Sequence, residues 1–109
     1  MPADLDLLQG TLDVMILKAV SWGPMHGFAV AKWIRSTTDD VLQIDDGALY
    51  PALHRMEHRG LIDADWDLTE NKRRAKYYRL TASGRRQLAV EAREWERMAH
   101  AIGRVMKHA

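Results

Sequence analysis

Ile62-Asp-Ala-Asp-Trp-Asp-Leu-Thr-Glu-Asn-Lys-Arg-Arg-Ala-Lys-Tyr-Tyr-Arg-Leu-Thr81 is the stretch on which the reading of the fold turns. Before it, apolar residues recur at steps of three and four. Here the period drops to two. Ile62, Ala64, Trp66 and Leu68 alternate with Asp63, Asp65 and Asp67, the pattern of a half-buried strand with one acidic face. Thr69 to Arg74 is a polar turn. Ala75 to Leu80 reads as the returning strand, with Tyr78 and Leu80 inward and Tyr77 and Arg79 outward. The stretch predicts a β-hairpin whose tip and first returning residues carry Lys72, Arg73, Arg74 and Lys76.

Working upstream, the pattern is helical. Leu5, Leu8, Leu12, Met15, Ile16, Ala19 and Val20 form one apolar stripe, ended by Gly23-Pro24. A second helix follows at about 26–37, with Phe28, Val30, Ala31 and Ile34 inward. Asp39-Asp40 and Asp45-Asp46-Gly47 bracket a short link, and Asp45 or Asp46 can accept the free amides of a third helix. Leu49, Leu53, Met56 and Leu61 give that helix its inner stripe, and Gly60 stops it. Tyr50, His54, Arg55 and His58 lie off the stripe. Pro51 removes one backbone hydrogen bond near the helix start and so bears on how Tyr50 points. His26, beside Gly27, reads as a packing or capping group.

Downstream, Thr81 caps a last helix reaching about residue 107. Leu88, Ala92, Trp95, Ala99, Ile102 and Met106 step by 4, 3, 4, 3 and 4, a heptad seam. At 1.5 Å per residue, ~27 residues make a rod of roughly 40 Å. A small domain cannot cover such a rod, and a second copy of the chain is the simplest cover. Helix, helix, helix, hairpin and long helix is the order of a winged helix-turn-helix with a C-terminal dimerisation helix. The fold class is mainly α with a small β-hairpin. Residues 1–81 form the DNA-binding unit on this reading and 82–109 the pairing helix. In such a fold the third helix enters the major groove and the wing touches the backbone or the minor groove.

Composition bounds the alternatives. The chain has 109 residues, 47% of them apolar and 28% charged, the profile of a single globular domain. It has no cysteine, which excludes disulfide scaffolds, thiolate metal sites and cysteine nucleophiles. No apolar run approaches the ~20 residues that span a bilayer. The first residues are acidic where a secretory signal is basic. A cytoplasmic domain with no membrane role is expected. The net charge of +1 is unevenly placed: −4 over residues 1–46 (three bases, seven acids), +4 over 47–86 (nine bases, five acids) and +1 over 87–109 (four bases, three acids). Lys72, Arg73, Arg74, Lys76, Arg79, Arg85 and Arg86 fall within 72–86 with no acid among them, a local field suited to an anionic polymer.

Other chemistry finds little support. His54 and His58 share a helix face, but Arg55 stands where a zinc protease needs glutamate, and no third ligand is evident. The aspartates at 39–46 read as helix ends and loop. There is no phosphate-cradling glycine loop and no Ser-His-Asp spacing. An enzyme, a cofactor and a metal are therefore not expected. Trp95 either packs in the seam or offers its ring to a planar ligand at a two-fold axis. Trp22, Trp33 and Trp66 read as ordinary packing. The alternative to a DNA-binding regulator is a winged-helix protein-interaction module that binds no DNA.

Gln9-Gly-Thr-Leu-Asp13, Leu17-Lys18, Gly23-Pro-Met-His-Gly27-Phe28, Gly47-Ala-Leu-Tyr-Pro-Ala-Leu53, Met56-Glu57, Gly60-Leu-Ile62, Arg73-Arg74, Lys76-Tyr-Tyr78, Leu80-Thr81 and Gly84-Arg85 together resemble the PadR family of transcriptional regulators. The resemblance runs from about residue 5 to 105. It implies a homodimeric bacterial repressor that binds a palindromic operator in double-stranded DNA. It places Tyr50 and Pro51 in the recognition-helix block, beside His54 and Arg55, and Arg73, Arg74 and Lys76 on the wing. In some members a small-molecule effector, here a small planar aromatic one, sits between helix 1 and the C-terminal helix. That implies a pocket of Leu12, Met15, Trp95 and Ala99. The chain is the short type, with a single C-terminal helix, and Phe28 stands where Tyr is frequent.

Overall fold

The computed structural model describes the backbone of residues 2–108 and the side chains of residues 10–108. The elements run α1 (Pro2–Val20), β1 (Met25–His26), α2 (Gly27–Thr37), α3 (Asp46–His58), β2 (Ile62–Leu68), β3 (Arg74–Leu80) and α4 (Ala82–Lys107). Three helices pack around one core. Ile16, Leu17, Ala19 and Val20 of α1 meet Val30 and Ile34 of α2 and Leu49, Ala52, Leu53 and Met56 of α3. Leu61, Ile62 and Tyr78 close the core from the hairpin side. The expected packing of Leu5 and Leu8 lies outside the described side chains.

Each later helix begins on a side-chain cap. His26 Nδ1 accepts from the amide of Ala29 at 3.1 Å, Asp45 Oδ1 from Ala48 at 2.9 Å, and Thr81 Oγ1 from Gly84 at 2.9 Å. Each satisfies one amide that the first helical turn leaves unpaired. Thr81 also donates to the carbonyl oxygen of Gly60 at 2.7 Å, so one residue starts α4 and ties it to the end of α3. Gly60 turns the chain with φ +75°, a left-handed conformation that glycine adopts without strain. At Gly84 a Cβ would collide with the Leu61 carbonyl oxygen, so α4 can leave the core only on a residue without a side chain.

The sheet has three strands in the order β1-β3-β2, all antiparallel. β1 adds to the expected hairpin, and two residues are too few to show a period in sequence. It pairs Met25 with Tyr78 and His26 with Tyr77. Tyr77, expected to point outward, is accordingly half-buried, with its ring edge-on to His26 at 5.3 Å.

Four apolar expectations are corrected. Phe28 is 68% exposed rather than inward. Successive three-residue steps drift about 60° around a helix, so Phe28 lies well away from the Val30–Ile34 stripe. Trp66 and Leu68 do lie on the inner face of β2, opposite Lys76 and Arg74, but they are 60% and 57% exposed because the hairpin runs past the end of the core. Trp22 is exposed as well, under the Lys18 ammonium at 5.2 Å. Trp33 packs partly against the core as expected.

α4 leaves the domain. Gly84 is buried, and Leu88, the first residue of the expected seam, packs partly against the core of its own chain. Beyond Glu91 the helix carries an apolar face with Trp95, Met98, Ala99, Ile102 and Met106 that the described residues cover only in part. The molecule measures 55 × 29 × 27 Å, long in one direction because of this helix.

Candidate nucleic-acid interface and the groove beside α4

With Leu49, Ala52, Leu53 and Met56 buried, α3 turns Gly47, Tyr50, Pro51, His54 and His58 outward. The Tyr50 ring is held against the start of α2. A Cβ on Gly27 would lie 2.8 Å from Tyr50 Cε1 and 3.0 Å from its hydroxyl, so the ring rests on the bare backbone at the start of α2. The two ends of the Gly23–Phe28 and Gly47–Leu53 motifs are thereby one structural unit.

Arg55 does not join that outer face. Its Nη2 lies 3.0 Å from Asp13 Oδ1 on α1, and the Asp13 side chain is only 13% exposed. Burial pushes the Asp13 carboxyl above the ordinary carboxylate range, and the Arg55 guanidinium offsets only part of that. The expected DNA contact is therefore an α1–α3 tie. A raised carboxyl pKa means that the native state favours the proton. Its contribution to stability is present at low pH and is lost as pH rises through the folded-state value. At neutral pH Arg55→Ala, which leaves a buried carboxylate unpaired, should cost about 1–3 kcal/mol. Asp13→Asn, which removes that charge, should cost less. Urea titrations should show the gap between the two variants closing as pH falls into the acid range. A gap independent of pH would contradict the assignment.

The wing sorts its cations. Arg79 lies on the outer face and bridges Asp63 at 3.2 Å and Asp65 at 2.8 Å, which accounts for the acidic face of β2. Lys76, expected at the phosphates, is pinned inward. Its Nζ lies 2.8 Å from Glu57 Oε1 of α3 and 5.5 Å from the Tyr78 ring centroid. The hydrogen bond to Glu57 raises its pKa and keeps it charged. It fixes the wing to α3. Lys72 and Arg73 are exposed and make no ion pair among the described residues. The tip between them is tight: the Thr69 amide donates to the Arg73 carbonyl at 2.8 Å, the Lys72 amide donates to that of Thr69 at 2.8 Å, and Lys72 sits at φ 61°. Arg74 is exposed, with its guanidinium carbon 5.3 Å from the Trp66 ring centroid.

A cleft of about 950 Å³ runs between the wing, the start of α2 and α3. Tyr50, Trp66, Arg73, Arg74 and Lys76 all line it. Lys32 of α2 lines it too, a cation that the sequence pattern gave no reason to place there. His54 stands on the same outer face of α3 but does not line the cleft. Among the described residues no cluster of His, Cys, Asp and Glu could hold a metal ion, and no helix is long and apolar enough to cross a membrane.

On the opposite flank, α1 and α4 enclose a groove of about 550 Å³. Trp95 and Ala99 line it as expected, with Met98 and Ile102. Leu12 and Met15 do not, because both pack on the core. The α1 wall is Gly10, Thr11 and Val14, one face away. Glu91 also lines the groove. Its Oε1 accepts from Gln87 Nε2 at 2.9 Å, while its Oε2 is buried with no partner among the described residues.

The model of the transcriptional regulator PadR-like family matches residues 16–90, which takes in the core, α3 and the whole wing. The chain belongs to the PadR-like family. Members of this family are transcriptional regulators, not enzymes. A transcriptional regulator from Clostridium thermocellum superposes with a TM-score of 0.83 at 32% identity, over 94% of this chain and 99% of that one. A PadR family transcriptional regulator from Eggerthella lenta gives a TM-score of 0.74 at 30% identity, over 99% and 92%. An uncharacterized protein of Lysinibacillus sphaericus is 28% identical over 102 residues, 94% of each chain. For this PadR-like chain the likeness runs through α4, so the protruding helix is part of what the solved regulator structures share.

Proposed function

We propose that this PadR-like regulator binds a palindromic operator in double-stranded DNA as a homodimer and represses transcription in the cytoplasm. The observation that carries the reading is the shared cleft. Tyr50 on α3 and Arg73 and Arg74 on the wing line one surface, as a duplex lying against both elements requires. α3 reads base edges with Tyr50 and His54. Lys72, Arg73 and Arg74 neutralise phosphates, which supplies affinity but no sequence information. Residues 1–81 serve as the DNA-binding unit and 82–109 as the pairing helix. The apolar face of Ala92, Trp95, Ala99, Ile102 and Met106, with Met98, is the surface that a second copy covers. A small planar aromatic effector would stack on Trp95 in the groove beside α1, and filling that groove would change how the two reading helices are spaced.

The test is a salt series of binding to the duplex immediately upstream of the protein's own coding region. The reading expects binding far tighter than to a scrambled duplex, with affinity falling linearly as log affinity against log salt. Equal affinity for both duplexes with no salt dependence would leave the wing and α3 without a nucleic-acid role.

A further inference from the structure

We propose that Trp66 is a positioning residue for DNA, acting by holding the Arg74 guanidinium over the cleft between the wing and α3. The inference rests on the DNA-binding reading above and adds a residue to it. Three observations meet at this pair. First, Trp66 is a large apolar side chain left 60% exposed, on the strand face that continues the core. The buried pairs Ile62–Leu80 and Ala64–Tyr78 are followed along that face by Trp66–Lys76 and then Leu68–Arg74. Second, this face looks toward α3, as the Lys76–Glu57 ion pair shows, so Trp66 overhangs the reading helix instead of open solvent behind the wing. Third, Arg74 is the diagonal neighbour of Trp66 across the strand pair, and its guanidinium carbon lies 5.3 Å from the ring centroid. Diagonal neighbours on an antiparallel pair are within reach of aromatic and long side chains.

The chemistry follows from what an unheld arginine does. A solvated arginine on a hairpin samples many rotamers, and capture of a phosphate must select one of them. A ring beneath the guanidinium restricts it by cation–π attraction while leaving the edge N–H groups free to donate. Arg79 is held instead by Asp63 and Asp65, which occupy its donors and cancel its charge. Lys76 is held by Glu57. Among the wing cations that have a partner among the described residues, Arg74 is the one whose partner restrains it without neutralising it. Lys72 and Arg73, at the tip, have no such support. The exposed tryptophan thereby acquires a role that packing does not give it.

The experiment is a set of double-mutant cycles on a labelled mixed-sequence duplex, read by fluorescence anisotropy. A mixed sequence suffices because phosphate contacts are sequence-independent. Trp66→Ala should weaken binding about threefold for each subunit engaged, and Trp66→Phe should recover most of that loss. In the Arg74→Ala background, Trp66→Ala should have no further effect. In the Arg73→Ala background it should cost its full factor. Circular dichroism should show the same melting for wild type and Trp66→Ala, since the ring is mostly exposed. Full additivity of Trp66→Ala with Arg74→Ala, or wild-type affinity for Trp66→Ala, overturns the proposal and leaves the DNA reading standing. Loss of all effect from Arg73→Ala and Arg74→Ala would instead remove the DNA reading itself.

Discussion

Trp95→Glu is expected to leave a folded monomer with no measurable operator binding. Past Glu91, α4 carries an apolar face that the described residues of its own chain cover only in part. Trp95, Met98 and Ile102 are each about half exposed, at 49%, 47% and 49%, and Met106 is 77% exposed. An apolar face repeating at heptad spacing on a helix that projects from its domain is stable in water when another such face covers it. A carboxylate at the centre of that contact loses its water and gains no partner, and removing its solvation costs about 3–5 kcal/mol for each buried charge. A two-fold contact places two such charges together. The dimer should weaken by at least four orders of magnitude, since each 1.4 kcal/mol is about tenfold. The core lies elsewhere, so circular dichroism should report an unchanged helix content. Trp95→Phe should remain dimeric. Sedimentation velocity checks this directly, and a Trp95→Glu protein that sediments as wild type would show that α4 pairs through another face or not at all.

Replacing Arg73 and Arg74 together by Ala should lower the slope of log affinity against log salt by close to two for each subunit on the DNA. Near 0.1 M salt that is roughly a sixtyfold loss per subunit, from about 0.9 log unit per phosphate contact at tenfold below molar salt. The loss should be the same for operator and for scrambled duplexes, as expected of residues proposed to contact phosphates alone. Lys76→Ala should behave differently. Its ammonium is committed to Glu57, so its removal loosens the wing against α3 and costs stability before it changes the salt slope. Filter binding across a salt series distinguishes the two patterns. An unchanged slope in the Arg73/Arg74 double variant would take the wing off the phosphates.

These two effects also show how much of the molecule was legible in the sequence. The change of period at Ile62, the helix ends at Gly23 and Gly60 and the caps at Asp45 and Thr81 are local signals, and the structure realises each one. What the sequence could not reveal is who meets whom. Arg55 looks like an outward cation on α3 until Asp13, 42 residues away, is found against it. Lys76 looks like a wing cation until Glu57 is found 2.8 Å from it. Both are long-range pairings with no periodic trace. The family resemblance implies a groove lined by Leu12 and Met15, which lie on the apolar stripe of α1. The stripe is drawn to the core, and the groove is left to Gly10, Thr11 and Val14. A period identifies a face but not its neighbour. Trp66 illustrates the same limit from the other side: alternation put it correctly on the inner face, and only the length of the hairpin put it beyond the core.

On the proposed reading, two copies of the cleft formed by α3 and the wing meet one duplex together. Hydroxyl-radical footprinting on the protein's own upstream region reads this out. Two protected patches related by a local two-fold axis, on one side of the helix and spaced by a whole number of turns, are the predicted result. A single protected patch, or protection that is indifferent to the symmetry of the sequence beneath it, would contradict the paired presentation.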